Sequence, residues 1–571
     1  MIKHILFIIA VFISINTYTQ PKYFPSDTLN RYNIHYMKPD LEVMDTSVFI
    51  KGSVTIGAGI VQDTKTIMFD FLNNMIVDSV YMNNKSKNFT HSNNHILISS
   101  AAVLKAGTGF TVKIWYHGYP VSGIYYRGKQ TGFPTISNVS ESYLLWCWLP
   151  CKQILTDKID SLDVWLTTSK NLKAYSNGVL TDSVLLAGNK IQYRWHSSYP
   201  IAYYLITIGA GNYAQFFDEA TLGSLNNKML PLTFYLYNNK KFINSQKGSM
   251  AKTKQFVHLL DSLFGPYPFD KEKYGVALAQ IFDNQGMENQ TMSVNQDLEP
   301  WLNIHELQHQ WFGDMVTCKT FNDIWLHEGF ATYSELLGIE FLPGISPGSM
   351  SDYVATWHKS VVRYKGGSVY VPDNDLYNEA RIFDGRLTYD KGGSLVHILR
   401  FEIGNDSLFF AALRNYLTAY KYGNASVTDF INSLKATTGM DFTSFFNQWY
   451  YGQGYPSYTV TYTQKGKTVS ITSTQKTSLP AITPFFKMKM EYKIQTTAGD
   501  TVIVHYQDST AENFELKING TVTGIIADPN DWVIDGGDAK ENNKPVKDPL
   551  KDQQPAVQGR RIKSLSISGL I

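Results

Sequence analysis

The stretch His305-Glu306-Leu307-Gln308-His309, with eighteen residues between it and Glu328, decides how this chain is read. On a helix, residues four apart share a face, so both imidazoles can meet one metal ion. Glu306, beside the first His, can reach a water held by that metal. Two imidazoles and one carboxylate make an open zinc site, its fourth position left to water. Zinc lowers the pKa of such a water to roughly 7, which creates a nucleophile at neutral pH. His is scarce, 13 in 571 residues, so the pairing carries weight. The competing reading is an ordinary helix whose two His are exposed or satisfied in the core. Glu328 counts against it. It lies in Trp325-Leu326-His327-Glu328-Gly329-Phe330-Ala331, an apolar run that reads as a buried helix start. A carboxylate there is costly unless it is paired or binds metal.

Several other stretches accompany this one. Upstream is Gln285-Gly286-Met287-Glu288-Asn289. Downstream is Tyr389-Asp390-Lys391-Gly392. Near the amino terminus, Trp148-Leu149-Pro150-Cys151 closes an aromatic segment, and Glu141 stands nine residues before Pro150. Glu335 follows Glu328 by seven residues, two helical turns, and so shares its face. In this order the motifs, with His309-Gln310-Trp311-Phe312-Gly313 as flank, resemble the aminopeptidase N-like zinc metallopeptidases, or gluzincins. Four positions depart from that family's pattern. Asp314 and His327 stand where Asn is more common, Gln285 replaces a Gly, and Gln153 replaces an Asp.

The resemblance implies roles residue by residue. His305, His309 and Glu328 would hold one Zn2+ per chain, and Glu306 would be the general base. Gly286 and Met287 would line the substrate backbone. Glu288 would bind the substrate's free amine, with Glu141 sharing that task. An ammonium in a partly desolvated cleft needs such anionic partners. Tyr389 would donate to the developing oxyanion. Glu335 would orient a zinc-bound His through its second ring nitrogen. Each has a plainer alternative: a turn carboxylate for Glu288, a loop carboxylate for Glu141, a solvated helix residue for Glu335, and one of 36 tyrosines for Tyr389. The implied activity is removal of amino-terminal residues from peptides with a free amino terminus. A zinc endopeptidase and a non-catalytic peptide-binding protein on the same fold are the rival readings. Asp283 and Asn284 precede the amine motif and predict a polar or basic first residue.

The rest of the chain sets the frame. At 571 residues it is long enough for several domains. Its composition is globular: 43% hydrophobic, 14% aromatic and 18% charged. A net charge of +2 offers no basic field for nucleic acid. Residues 1–19 read as a secretory signal, with Lys3 and His4 ahead of an apolar run from Ile5 to Ile15. That run is too short to span a bilayer. The expected product is secreted or periplasmic, without a stable membrane anchor. Three cysteines, Cys147, Cys151 and Cys318, supply no disulfide framework and read as buried thiols.

The expected fold class is multidomain α+β. Residues 20–215 predict an antiparallel β domain, with strand-like runs at 43–56, 65–71, 110–118 and 160–168. Residues 216–456 predict a mostly helical domain, with helices at 250–263, 302–312, 387–403 and 427–438, which the resemblance implies is a thermolysin-like zinc domain. Residues 457–538 predict a small β-sandwich. Residues 539–571 predict a linker rich in Pro and charge, then a short tail.

Overall fold

The computed structural model describes residues 23, 25–127, 132–280, 285–342, 344–346 and 348–536. The expected signal segment, the 539–571 tail, and Asp283 and Asn284 lie outside the described residues. The chain divides into two compact units, one of residues 1–363 and 367–452, the other of 364–366 and 453–571.

The first unit begins with β structure. Tyr32–Val43 alternates buried and more exposed positions, the period-2 signature of a strand with one face on the core. It sits inside an eight-stranded sheet of order Val179–Leu186, Lys190–Ser197, Ser161–Ser169, Tyr32–Val43, Ile50–Ile60, Gly109–Gly118, Ile76–Met82, Lys85–Lys87. The sheet is not wholly antiparallel as expected: Tyr32–Val43 runs parallel to Ser161–Ser169. The run 43–56 is not one strand either. Val43 ends one strand and Ile50 opens the next, because Ser47 accepts a hydrogen bond from the Phe49 amide and turns the chain. A smaller sheet follows, of order Lys173–Ser176, Ile208–Gly211, Thr135–Asn138, Ile124–Arg127.

The expected boundary at 215/216 falls inside a strand, Tyr213–Leu222. This strand opens a five-stranded sheet, continued by Lys228–Tyr237, Tyr274–Leu278, Met292–Asn295 and the short edge strand Gly286–Met287. Helix α1, Lys240–Phe264, connects two parallel neighbours of this sheet. It starts ten residues earlier than the periodicity indicates, because Asn239 caps it by accepting from the Phe242 amide. Helix α2, Pro300–Gln308, begins with Pro at the first turn, where no amide is needed. Helix α3 is Trp325–Phe341, and α4 is Met350–Val361, opened by a Ser349–Asp352 capping box. The expected helix at 387–403 is two elements: a π-helical turn, Gly385–Asp390, then α5, Lys391–Ile403. Asp384 holds the turn by accepting from the Arg386 and Leu387 amides. Asp406–Ala419, Val427–Thr438 and Thr443–Trp449 complete the helical layer as α6, α7 and α8. Its core is aromatic: Phe312 stacks on Phe330 with ring centroids 4.0 Å apart.

In the second unit two three-stranded sheets form the expected sandwich. One has the order Pro456–Lys465, Thr468–Thr477, Ala511–Lys517, the other Thr501–Gln507, Met488–Thr496, Val522–Ala527. Tyr492 joins them by donating to Ser473 Oγ at 2.8 Å.

Two glycines set how closely the site's helices approach. Gly329 of α3 faces Gly392 of α5, and a Cβ on Gly329 would lie 3.0 Å from the Gly392 carbonyl carbon. The neighbour is main chain of a buried helix and has little room to give. Gly329→Ala is therefore expected to cost about 1–3 kcal/mol by overpacking. The check is a lower thermal midpoint together with a lower kcat, since Glu328 sits on α3 and Tyr389 on the turn that leads into α5.

Candidate metal centre and active site

Helix α2 carries His305 and Glu306 inside its last turns and His309 at its cap. It ends at Gln308, four residues short of the expected 312. The chain there tightens into short turns, Gln310 to Leu307 and Trp311 to Gln308, before Gly313 at φ +135°. This ending has a use. His309 Nδ1 meets the Phe312 carbonyl at 3.2 Å, a contact that a continuing helix would deny it.

Both imidazoles are held from behind. His305 Nδ1 lies 2.7 Å from Glu335 Oε1, and Glu335 in turn accepts a hydrogen bond from the Tyr353 hydroxyl of α4. With both Nδ1 atoms engaged, the Nε2 atoms face forward. They lie 3.3 Å (His305) and 3.4 Å (His309) from a single oxygen, Glu328 Oε2. Zinc bonds of about 2.0–2.1 Å in a tetrahedron place ligand atoms about 3.3 Å apart. The donor set thus fits one Zn2+ with a position open, and His305, His309 and Glu328 form a compact cluster of buried ligand atoms.

The charges around this cluster are strongly coupled. Burial works to raise the Glu328 carboxyl, but the His309 and His305 imidazoles bring it well below the usual carboxylate range. Burial pushes Glu306 up to about 8, against the pull of His305 and His309 and with the help of Glu288 and Glu328. Burial also raises Glu288, and Glu328 adds to it. Glu141 is raised well above the normal range by burial, then by Glu288. Glu288 and Glu141 each present a buried Oε1 without a hydrogen-bond partner. Glu288 lies close enough to Glu306 and His309 for the three to form a second cluster, within 4.8 Å.

Glu288 sits where it does through its main chain. Gln310, the residue after His309, donates to the Glu288 carbonyl at 3.1 Å and accepts from the Thr291 amide at 2.8 Å. Thr291 has φ +63°, a conformation a β-branched residue resists. Three groups hold it there: Gln310, the Gly178 amide on its hydroxyl, and Lys273 on its carbonyl. The Asn177-Gly178 turn reaches the same segment, since Asn177 donates to the Gln290 carbonyl at 2.8 Å.

Glu141 follows strand Thr135–Asn138. Its neighbour Ser140 accepts from Trp148 Nε1 at 3.2 Å, which ties it to the Trp-Leu-Pro-Cys motif. The three cysteines are buried free thiols. Tyr389 lies in the π-helical turn, its ring parallel to His305 with centroids 6.2 Å apart. Burial, and then Glu328, raise its hydroxyl far above the usual phenol range, so it stays a donor. His327 accepts from the Cys318 amide at 2.8 Å, and burial pushes it down to about 3. It is a neutral structural imidazole beside the cluster.

Sequence reading missed Gln310, Thr291 and Tyr353. Gln310 was visible as a polar residue in an otherwise apolar helix end. Thr291 and Tyr353 left no local signal. It also missed why Gly286 must be Gly. A Cβ there would sit 2.4 Å from Glu306 Oε1. Gly286→Ala is expected to displace the carboxylate and lower kcat by about 10- to 100-fold, because small misplacements at the reacting centre are this costly. Zinc content, measured by elemental analysis, should be unchanged; loss of metal instead would show that the strand acts on the ligands.

Comparison with known proteins agrees with this geometry. Residues 249–449 match the family model described as Peptidase family M1 domain. Glutamyl aminopeptidase of Bos taurus is 26% identical over 316 residues, 50% of this chain and 31% of that protein. Leucyl aminopeptidase of Saccharolobus solfataricus is 25% identical over 441 residues, 71% of this chain and 52% of that one. The chain thus spans about a third to a half of these relatives. The crystal structure of an M1 zinc metallopeptidase from Deinococcus radiodurans superposes with a TM-score of 0.62, covering 72% of this chain and 91% of that one at 21% identity.

Proposed function

We propose that this chain, which carries a peptidase family M1 domain at residues 249–449, is a zinc-dependent aminopeptidase. The carrying observation is a pair of buried carboxyls, Glu288 and Glu141, each with an unpartnered oxygen and both interacting electrostatically with the metal ligand Glu328. An uncharged stretch of peptide bound by an endopeptidase would leave that pair without a cation. A free amino terminus brings one.

His305, His309 and Glu328 hold the metal. When bound, Zn2+ lowers the pKa of a water and polarises the scissile carbonyl. Glu306 takes the proton released in attack and returns it to the leaving amine. The Tyr389 hydroxyl donates to the oxyanion. Gly286 and Met287, on the edge strand of the five-stranded sheet, pair with the substrate main chain. Glu288 and Glu141 hold the ammonium and so fix which bond is cut. A solved structure of the Deinococcus radiodurans metallopeptidase holds a Tyr-Ser-Ala substrate, which supports a peptide ligand for this fold.

The test is a panel of aminoacyl fluorogenic amides, each with a free and an acetylated amine. Cleavage of the free forms alone, abolished by chelator, is expected; equal cleavage of acetylated forms would move the reading to an endopeptidase. Glu306→Gln should lower kcat by about 10²- to 10⁴-fold and keep its zinc. Normal turnover in that variant would sink the mechanism. The same panel reads the first-residue preference, expected to be polar or basic. A clear preference for Leu or Phe would refute that expectation.

Export completes the reading. Residues 1–19 have the composition of a cleavable signal. Amino-terminal sequencing of the mature protein should begin near Gln20; a chain starting at Met1 would refute cleavage. No described helix is long and apolar enough to cross a membrane.

A further inference from the structure

A buried cation reaches the turn behind His309. Lys158 lies in the irregular segment between Pro150-Cys151 and strand Ser161–Ser169. It is only 9% exposed. Its Nζ donates to the main-chain carbonyls of Asp314 at 2.7 Å and Met315 at 3.1 Å. The Asp314 side chain is fully buried, and neither of its oxygens has a hydrogen-bond partner. Burial pushes the Lys158 ammonium down to about 7, and Asp314 is the first group opposing that push.

The turn so gripped is not a neutral piece of scaffold. Its Asp314 amide donates to the His309 carbonyl at 3.0 Å, and its Met315 amide donates to the Gln310 carbonyl at 3.2 Å. Its Phe312 carbonyl is the partner of His309 Nδ1. Whatever fixes the turn therefore fixes which His309 nitrogen points at Glu328. The main-chain bonds attach the turn to the end of α2. The two carbonyls of Asp314 and Met315 are held by Lys158, which comes from a segment 156 residues away.

We propose that Lys158 is a positioning residue for the metal centre: its ammonium clamps the Asp314 and Met315 carbonyls and so holds His309 in its metal-facing orientation. The Asp314 carboxyl itself takes no part in the clamp's hydrogen bonds. The proposal rests on the zinc-site reading above. A merely structural lysine would also be buried and bonded, but its loss would lower stability without changing the zinc affinity of the folded protein.

The experiment replaces Lys158 with Met, which keeps the length of the chain and removes the donors. Zinc affinity is measured by competition with a metal-binding indicator dye, and the thermal midpoint of the metal-free protein is measured separately. Lys158→Met is expected to weaken zinc binding by about 10- to 100-fold, the usual cost of losing a group that orients a ligand. Asp314→Asn, which leaves both carbonyls in place, should lose less. Zinc binding as tight as the parent's in folded Lys158→Met overturns the proposal. So does an Asp314→Asn loss equal to that of Lys158→Met. Should Lys158→Met fail to fold, Lys158→Leu, which also removes the donors, takes its place in the same measurement, and unchanged affinity there would be equally decisive. A parent protein that binds no zinc at all would instead overturn the zinc-site reading.

Discussion

Repulsion among carboxylates in one buried cleft is the constraint on which this site is built. Glu288 and Glu306 approach within 4.8 Å through a shared His309 cluster, and Glu328 and Glu141 interact electrostatically with both. Two like charges at that distance cost about 3 kcal/mol at an effective dielectric near 20, before desolvation is counted. Burial is the largest cause of the raised Glu306, Glu288 and Glu141 carboxyls and this repulsion adds to it, whereas Glu328, between two imidazoles, is brought down. Such an arrangement stands only if cations arrive. A divalent metal among His305, His309 and Glu328 answers part of the demand. In the proposed aminopeptidase reading a substrate ammonium between Glu288 and Glu141 would answer another part, and metal binding and selectivity for free amines would stem from one charge imbalance.

The scaffold meets that constraint by fixing main chain rather than by adding counter-charges at the cleft. Gln310 pins the Glu288 carbonyl and the Thr291 amide to the end of α2. Holding Thr291 at positive φ costs on the order of 1–3 kcal/mol, and the three partners around it over-determine the conformation. Gly286 lets the edge strand lie against Glu306, and Gly329 lets α3 lie against α5. The close approaches occur where side chains would block them, and each one sets the position of a reacting group.

Legibility in the sequence followed the range of the interaction. The His305–His309 pair and the Glu328–Glu335 step are local: one and two helical turns, readable from spacing alone. That Glu335 meets His305 rather than solvent needed the packing of α3 on α2, though the shared face made it a candidate. Thr291 and Lys158 act across long sequence separations through main-chain atoms, and Tyr353 reaches Glu335 from a different helix, so no local side-chain pattern announces them. Element ends were misplaced for local reasons. Asn239 extends α1 through a cap, and α2 stops early because His309 needs the Phe312 carbonyl. The π-helical turn at Gly385–Asp390 was read as α-helix because apolar spacing does not distinguish the two over six residues. The Tyr213–Leu222 strand was cut by the expected boundary because a change in average composition is a poor marker where a sheet of the second region begins with strands.

These long-range contacts also bear on why the β region and the zinc region form one compact unit. Glu141, the proposed amine anchor, comes from the first and the metal ligands from the second, so the length of substrate that the proposed site would hold depends on how the two are joined. Three ties cross that junction near the site: Asn177 to the Gln290 carbonyl, the Gly178 amide to Thr291, and Lys158 to the zinc turn. Two end on main chain and one on the Thr291 hydroxyl, each a few residues from Glu288 or His309. A hydrogen bond of this kind is worth about 1 kcal/mol in stability, too little to explain a whole interface. Its value here is geometric. A cleft that recognises a substrate by its end needs the anchor and the reacting centre at a set separation, and rigid ties at both edges of that gap supply it.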